Sequence, residues 1–404
     1  MAPHSPRSSW RLAAAVLIGL ILAAGMAYSI ALPTHARFPD EEEYLLLSGH
    51  LLHGPGYSMD GVHLTAMRPP GYPLFLTAVQ ALGGYMIAAR VLQYIAFVLT
   101  LGLVAALLPR GEFAERLVLV TVVTLLYPVQ FYTAATLYPQ TLSALLFAAA
   151  LVLLLRTRRT FSTNLLCGLV FGALLLVVPT FTLTLPVVFV VAWWLKMVRW
   201  HEGLPIALGV ILVVSPWIVR NEIVFDRFVP FASNSGENLL IGNSENTIPY
   251  GGSGNVDRTH YEQEARALHL DEFQTDKYYQ QAAITWIENH PARAFVLYLE
   301  KTANYFNIYN EYAAGTNAEA SAWKQVAMGA TYLLLLGLLA WRLVEAKRFP
   351  LEKWEILLLA VYVLSAFTMA IFVTRIRYRL PYDYLIIAIV AGHLQRRLAV
   401  TKST

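Results

Sequence analysis

The chain's 404 residues are 57% hydrophobic and only 14% charged, with a mean hydropathy of +0.52, a composition suited to a bilayer and not to a core folded in water. The formal net charge of +4 is small, and the basic residues sit in short loops, not in a stripe interleaved with aromatics, so nucleic-acid binding has little support. The one cysteine, Cys167, falls inside an apolar run; it reads as a small buried hydrophobe and cannot form an internal disulfide.

In chain order, Arg7 and Arg11 precede an apolar run over 12–32, which has the length of about 20 residues that a bilayer requires and exceeds the core of a secretory signal. It reads as an uncleaved anchor. The loop over 33–85 then carries Phe38-Pro39-Asp40-Glu41-Glu42-Glu43-Tyr44 and Arg68-Pro69-Pro70-Gly71-Tyr72-Pro73. Pro39 fits the first position of a helix, where acids gain about 0.3 to 1 kcal/mol from the dipole, so a plain helix start accounts for the run by itself. Helical spacing nevertheless puts Asp40 on one stripe with Tyr44, Leu47 and Leu51 and sends Glu42 to the far side. A carboxylate heading a buried face needs a cation, a hydrogen-bond donor or a substrate hydroxyl. Arg68 is the nearest candidate: two prolines fix the backbone after it, and Pro73 is predicted to begin a helix running to about Leu82. Its plain structural account is a tight turn with the arginine among lipid headgroups.

Further apolar runs over 86–108, 116–131, 140–155, 164–179, 181–197, 204–219, 324–343, 354–373 and 380–395 bring the total to about ten predicted membrane helices. With the amino terminus in the cytoplasm, alternate connections carry Arg110 and Arg116, then Arg156, Arg158 and Arg159, then Lys196 and Arg199. Arg342, Lys347, Arg348 and Lys353 follow, and finally Arg396, Arg397 and Lys402. All fall on one side, as the positive-inside rule asks. The other face receives the acidic loop, the turn at Tyr138-Pro139-Gln140, the segment over 220–323 and the turn Arg375-Ile376-Arg377-Tyr378-Arg379. The expected organisation is a membrane core over 1–219, an extracytoplasmic segment over 220–323, and C-terminal membrane helices over 324–404. The middle segment is polar and Gly/Asn-rich from Ser233 to Asn255. It then reads as helices near 257–269, 273–290 and 291–307, the last begun by Pro291 and patterned to lie on a surface, with Phe295, Leu299 and Phe306 opposed by Arg293, Glu300 and Lys301. No repeat is visible.

Several of these pieces together resemble one family. Asp40-Glu41-x-x-Tyr44 after the first span, Arg68-Pro-Pro-Gly-Tyr72-Pro, Arg90 with Gln93 opening the second span, Pro216-Trp217-x-x-Arg220-Asn221 closing the seventh, and Arg377-Tyr378-Arg379-Leu380-Pro381 before the last are similar to the GT-C membrane glycosyltransferases. The nearest branch is that of protein O-mannosyltransferases, aminoarabinose transferases of lipid A and rhizobial galacturonosyltransferases. The likeness runs to about residue 393. It implies an all-α, polytopic GT-C-like fold with outer-face juxtamembrane helices in a prokaryotic cytoplasmic membrane, both termini cytoplasmic. It also implies transfer of a sugar from a polyprenyl-phosphate carrier to a lipid, glycan or protein acceptor at the outer face. The aspartate of the acidic pair would be the base, and Tyr44 and Tyr72 would join the substrate-binding set. The chain departs from many relatives at Tyr138-Pro139-Gln140, where an acid is usual, and at Val178-Pro179, where Arg-Pro is usual.

The chemistry asks for little more than this. Transfer from a lipid-phosphate sugar needs a base for the acceptor hydroxyl and positive charge for the departing phosphate. Asp40 is the candidate base, with Glu41 orienting the acceptor or a neighbouring arginine, and general base catalysis is typically worth about 100- to 10,000-fold. A glycosidase would need a second, protonated acid across the bond. Arg68, Arg90, Arg220, Arg375, Arg377 and Arg379 are the candidate phosphate ligands, since guanidinium suits phosphate better than ammonium does. The last three stand on the outer face against the positive-inside tendency. Gln140 can hydrogen-bond substrate but is a poor ligand for a hard cation, and His50, His53 and His63 show no compelling ligand spacing, so no cofactor is expected and a divalent metal is not favoured. Two rival readings are a lipid-linked oligosaccharide polymerase or ligase and a lipid transporter or flippase. The predicted spans hold essentially no acid or histidine near their middles, which disfavours coupled transport. A scaffold without chemistry is a third.

Overall fold

The structure is a computed structural model, and it describes residues 6–252, 254, 256–308 and 322–401; Lys402, Asn255 and the stretch 309–321 lie outside them. Among the described residues there are helices and one isolated bridge between Ser58 and Leu64, and no strand. The protein is an all-α polytopic membrane protein. Among the described residues, four helices are long and apolar enough to cross a membrane, over Ser9–Ala31, Met86–Leu107, Trp200–Phe225 and Val326–Lys347.

The anchor is α1 (Pro6–Ala31), and the acidic loop folds as α2 (Pro39–His53) and α3 (Gly71–Ala81) before α4 (Met86–Leu107). Pro73 is thus the third residue of its helix and not the first; the amides of the opening turn have no partner inside the helix, so a proline costs nothing there. The predicted span over 116–131 is two helices, α5 (Phe113–Leu125) and α6 (Val129–Ala134), because Pro128 lacks the amide that would continue the ladder. Next come α7 (Gln140–Arg156), α8 (Phe161–Val177) and α9 (Phe181–Trp194), apolar but shorter than the four long helices. After α10 (Gly203–Phe225), the stretch read as polar and irregular contains α11 (Ser235–Gly242). The three helices predicted beyond it are present as α12 (Thr259–Ala267), α13 (Glu272–Asn289) and α14 (Pro291–Tyr305), and α15 (Ala322–Val344), α16 (Lys353–Met369) and α17 (Ile376–Thr401) complete the chain.

Packing follows from sequence pattern. The run Tyr384-Leu-Ile-Ile-Ala-Ile-Val-Ala391 is apolar on every face, and every one of its residues is buried, so α17 is the axis around which α4, α5, α7, α15 and α16 pack. The closest pairing is α8 with α10, where Gly168 and Gly209 bring the backbones together: a methyl on Gly168 would lie 2.0 Å from the Ile206 carbonyl oxygen. Small residues serve this purpose where lipid supplies no hydrophobic drive between helices. Leu12, Val16 and Leu20 of α1 and Ile211, Leu212 and Ile223 of α10 stay exposed, as lipid-facing side chains should.

The two ends of the bundle differ. At one end the basic connections meet glutamates: Arg342 with Glu355 at 2.8 Å, both fully buried, Arg396 with Glu355 at 2.6 Å, Arg159 with Glu202 at 2.9 Å and Arg11 with Glu112 at 2.9 Å. Both α7 and α17 run from the opposite end, at Gln140 and Ile376, to this one. One expectation fails inside the bundle. Asp383 of α17 is fully buried, so the membrane helices are not free of acid.

Candidate active site

Pro39 opens α2 after an extended Phe38, which sets Asp40, Glu41 and Glu42 in the first turn. The buried side is rotated by one position from the predicted stripe. Glu41, Tyr44, Leu47 and Ser48 lie deepest, and Glu42 points outward. Glu41 is fully buried and accepts from the backbone of Leu137 at 2.8 Å and of Arg37 at 2.7 Å. Arg37 in turn donates to the Ala135 carbonyl at 2.8 Å. Glu41 therefore fastens α2 to the turn before α7 and does not reach the cavity.

Asp40 does. Its Oδ1 accepts from Arg68 Nη2 at 3.0 Å and its Oδ2 from Arg377 Nη1 at 2.6 Å, joining the acidic loop to the start of the last helix. Arg68 also donates through Nε to Glu43 at 2.5 Å and stands 5.8 Å from the Tyr44 ring. Its backbone is held by the Tyr57 hydroxyl, which donates to the carbonyls of Arg68 and Pro69 at 2.9 and 3.2 Å. Outside these, Glu272 of α13 accepts from Thr65 Oγ1 at 2.6 Å and from the Ala66 amide at 3.0 Å, so α13 braces the arginine loop. Arg377 is flanked by the Tyr138 and Tyr378 rings at 5.1 and 5.0 Å and donates to the Tyr378 hydroxyl at 3.1 Å.

These side chains line a cavity of about 370 Å³. Its polar wall is Asp40, Arg68, Arg377, Tyr138, Gln140 and Asn234; its apolar wall is Val177, Val178, Leu183, Phe231, Met369, Phe372 and Val373. The first residues of α7 and α11 and the turn into α9 belong to the same lining. The N-terminus of α7 adds partial positive charge to the two guanidiniums, whereas the first amides of α11 are taken by Asp276 and those of α9 by preceding carbonyls. Gln140 lines that space at 5% exposure, and its buried Oε1 has no hydrogen-bond partner.

Electrostatics separate the two acids that Arg68 touches. Burial pushes the Asp40 pKa up, but Arg377 and Arg68 outweigh burial and bring it to about 2. Glu43 moves the other way, raised chiefly by burial, which its contact with Arg68 does not offset. Asp40 is thus a carboxylate under all physiological conditions and a weak base while both arginines hold it.

Other residues singled out in the sequence lie elsewhere. Tyr72 is buried against Tyr44, with ring centroids 5.0 Å apart, and donates to Gln93 at 3.0 Å; it supports the Tyr44 wall. Arg90 is fully buried in α4 with no hydrogen-bond partner on any guanidinium nitrogen, and its charged neighbours are Arg37 and Glu41. Arg220 donates to the Thr65 carbonyl at 2.8 Å within a cage of Trp217, Phe225 and Tyr57 rings. Arg375 is buried against Gly252. Arg379 pairs with Asp383 at 3.2 Å, donates to the Tyr305 carbonyl at 2.7 Å and faces the Tyr332 ring at 3.5 Å, inside the bundle. Of the six candidate phosphate arginines, the structure brings Arg68 and Arg377 to Asp40. Glu43, Tyr138, Asn234 and Tyr378 join them; Glu43 was legible, since it stands three residues from Asp40 on the same helical face.

The site does not fit a divalent cation. Both Asp40 oxygens face guanidiniums, Gln140 is neutral, and among the described residues no three His, Cys, Asp or Glu side chains converge. His50 and His63 are engaged with Ser58 and Asp60 in the loop outside the cavity.

No protein-family model matches the sequence, and no curated protein matches it. Two solved structures of ArnT from Cupriavidus metallidurans align with it at 13% identity. The form bound to undecaprenyl phosphate covers 94% of this chain and 78% of that one with a TM-score of 0.46, and the apo form covers 96% and 78% with a TM-score of 0.45.

Proposed function

We propose that the protein is a membrane glycosyltransferase that moves a sugar from a polyprenyl-phosphate carrier to an acceptor hydroxyl at the outer membrane face, with Asp40 as base. One observation carries this reading: a half-buried carboxylate bridged by Arg68 and Arg377 at the junction between a polar wall and an apolar one. The apolar wall suits an isoprenoid chain, and the guanidiniums with the N-terminus of α7 suit its phosphate. In the reaction the acceptor hydroxyl gives its proton to Asp40, and its oxygen forms the new bond to the anomeric carbon. The bond from that carbon to the phosphate oxygen breaks, its electron pair leaving with the polyprenyl phosphate. The attack comes from the face opposite the leaving phosphate, so configuration inverts. Arg68 and Arg377 stabilise the charge that grows on the leaving oxygen. The ordered resemblance to GT-C enzymes supports the same assignment. A polymerase or ligase would use a pyrophosphate carrier in a similar cavity. A coupled transporter would draw on Asp383, but that carboxylate is already paired with Arg379 and accepts from Tyr127 and Tyr362 at 2.9 and 3.1 Å.

The test is transfer by the reconstituted protein from polyprenyl-monophosphate sugars compared with pyrophosphate-linked ones. Activity with the monophosphate class is expected, and Asp40→Asn should lower it by about 100-fold or more at unchanged expression. Full turnover by Asp40→Asn would remove the base from the mechanism.

A further inference from the structure

Resting on that reading, we propose that the donor's own phosphate uncovers the base: Arg68 and Arg377, which here hold both oxygens of Asp40, pass to the phosphate as the donor enters. The acceptor hydroxyl can then lose its proton only after the donor is seated. The geometry makes the exchange a short one. Each arginine reaches Asp40 through one terminal nitrogen, Nη2 of Arg68 and Nη1 of Arg377, and is held from behind by other groups. For Arg68 these are Glu43, which touches Nε and also the Nη2 that Asp40 uses, and the Tyr44 ring; for Arg377 they are the Tyr378 hydroxyl, on Nη2, and the Tyr138 ring. The guanidiniums line the cavity and can stay in place while one nitrogen of each changes partner.

Without that exchange the site would work against itself. A carboxylate with a charge-assisted bond on each oxygen keeps a lone pair on each but holds it weakly basic, and protonating it would leave two cations facing a neutral acid. The depressed basicity of Asp40 is the same fact in another form. A phosphodiester brings one negative charge and oxygens that match the guanidinium fork, and once it holds the arginines the charges pressing on Asp40 are largely neutralised. The departing polyprenyl phosphate carries a second charge and competes with Asp40 more strongly still. The device keeps the base quiet towards water or stray hydroxyls until a donor is present.

The consequence is open to measurement without any acceptor. If Asp40 and the phosphate compete for the same arginines, removing the carboxylate should tighten binding of the lipid phosphate, although it abolishes transfer. Undecaprenyl phosphate binding would be measured on the protein in nanodiscs, with undecaprenol as the control that shares the chain and lacks the phosphate. Asp40→Asn, with Asp40→Ala as a second variant in case the first does not fold, is expected to bind the phosphate at least about tenfold more tightly than the unmodified protein. The control should not change, and the gain should vanish in an Arg377→Ala background. Equal or weaker binding by both Asp40 variants would overturn the uncovering. So would a gain that the alcohol shares, because it would come from the chain and not from the phosphate. Failure of the unmodified protein and the variants alike to bind the lipid phosphate would instead overturn the donor class on which the inference rests.

Discussion

Arg377 and Arg379 stand two positions apart on α17, which turns their side chains by about 200° from each other, so one helix start serves two unrelated purposes. Arg377 faces the cavity and Asp40; Arg379 faces inward and neutralises Asp383, with both charges essentially inaccessible to solvent. Arg377→Ala should therefore leave the fold intact and lower kcat/KM for a polyprenyl-phosphate donor by about 100-fold, a loss of charge at the leaving phosphate. Arg379→Ala should act on stability, because it strands a buried carboxylate, at a cost of about 3 to 5 kcal/mol. Thermal unfolding in detergent separates the two. The double variant Arg379→Ala with Asp383→Ala should recover much of that loss, whereas a donor-binding role for Arg379 would leave the double variant as inactive as the single one. The sequence shows the triplet at 375, 377 and 379 as one basic turn on the outer face. Only the helix beginning at Ile376 assigns the three residues to different surroundings, and where a helix begins is the weakest thing a sequence says.

At the scale of elements, the cavity depends on how α11 and α14 grip the connection between α16 and α17. Lys301 of α14 is buried and spends its three donors on the Gly242 carbonyl at 2.7 Å, the Phe372 carbonyl at 3.0 Å and Asn243 Oδ1 at 3.1 Å. Asn304, one turn on, donates to the Thr374 carbonyl at 2.9 Å. Together they hold the end of α11 and the strap bearing Phe372 and Val373, two of the apolar residues that line the site. Lys301→Met fills the same volume but leaves buried carbonyls without donors, each worth about 1 to 3 kcal/mol, so a lower melting temperature is expected. If the strap then loosens, KM for the donor should rise by about tenfold while kcat stays within about twofold; a change confined to kcat would mean that the strap does not shape donor binding. The amphipathic pattern of α14 was legible in Phe295 and Leu299, which remain exposed, while Lys301 was assigned to the wet face and is buried. Pattern distinguishes apolar from charged, but not a solvated charge from one satisfied by carbonyls. For the same reason α11 was hidden: its Ser-Gly-Glu-Asn opening reads as loop, and it is helical because Asp276 accepts from the amides of Gly236 and Glu237 at 2.6 and 3.1 Å.

For the molecule as a whole, the apolar runs located the membrane helices well, since a period of 3.6 in a lipid solvent leaves a strong mark on composition. The break at Pro128 had a local signal in the proline itself, whereas the burial of the Arg379 and Asp383 pair was not legible, because it depends on what neighbouring helices supply. The remaining large-scale question is which end faces outward. The bundle gathers Arg110, Arg156, Arg159, Arg342 and Arg396 at one end and the Asp40 cavity at the other, joined by α7, whose 17 residues span roughly 26 Å. Positive charge resists translocation, so the basic end should be cytoplasmic and the cavity should open outward. Cysteine labelling decides it cleanly, because Cys167 is fully buried and can be replaced by Ala to give a cysteine-free background. Val62, 70% exposed beside the acidic loop, and Trp200, 76% exposed at the basic end, are the reporters. In right-side-out vesicles Val62→Cys should react with a membrane-impermeant maleimide at once, and Trp200→Cys only after the membrane is opened. The reverse pattern would put Asp40 on the cytosolic side, where a carrier-linked sugar at the outer leaflet could not reach it.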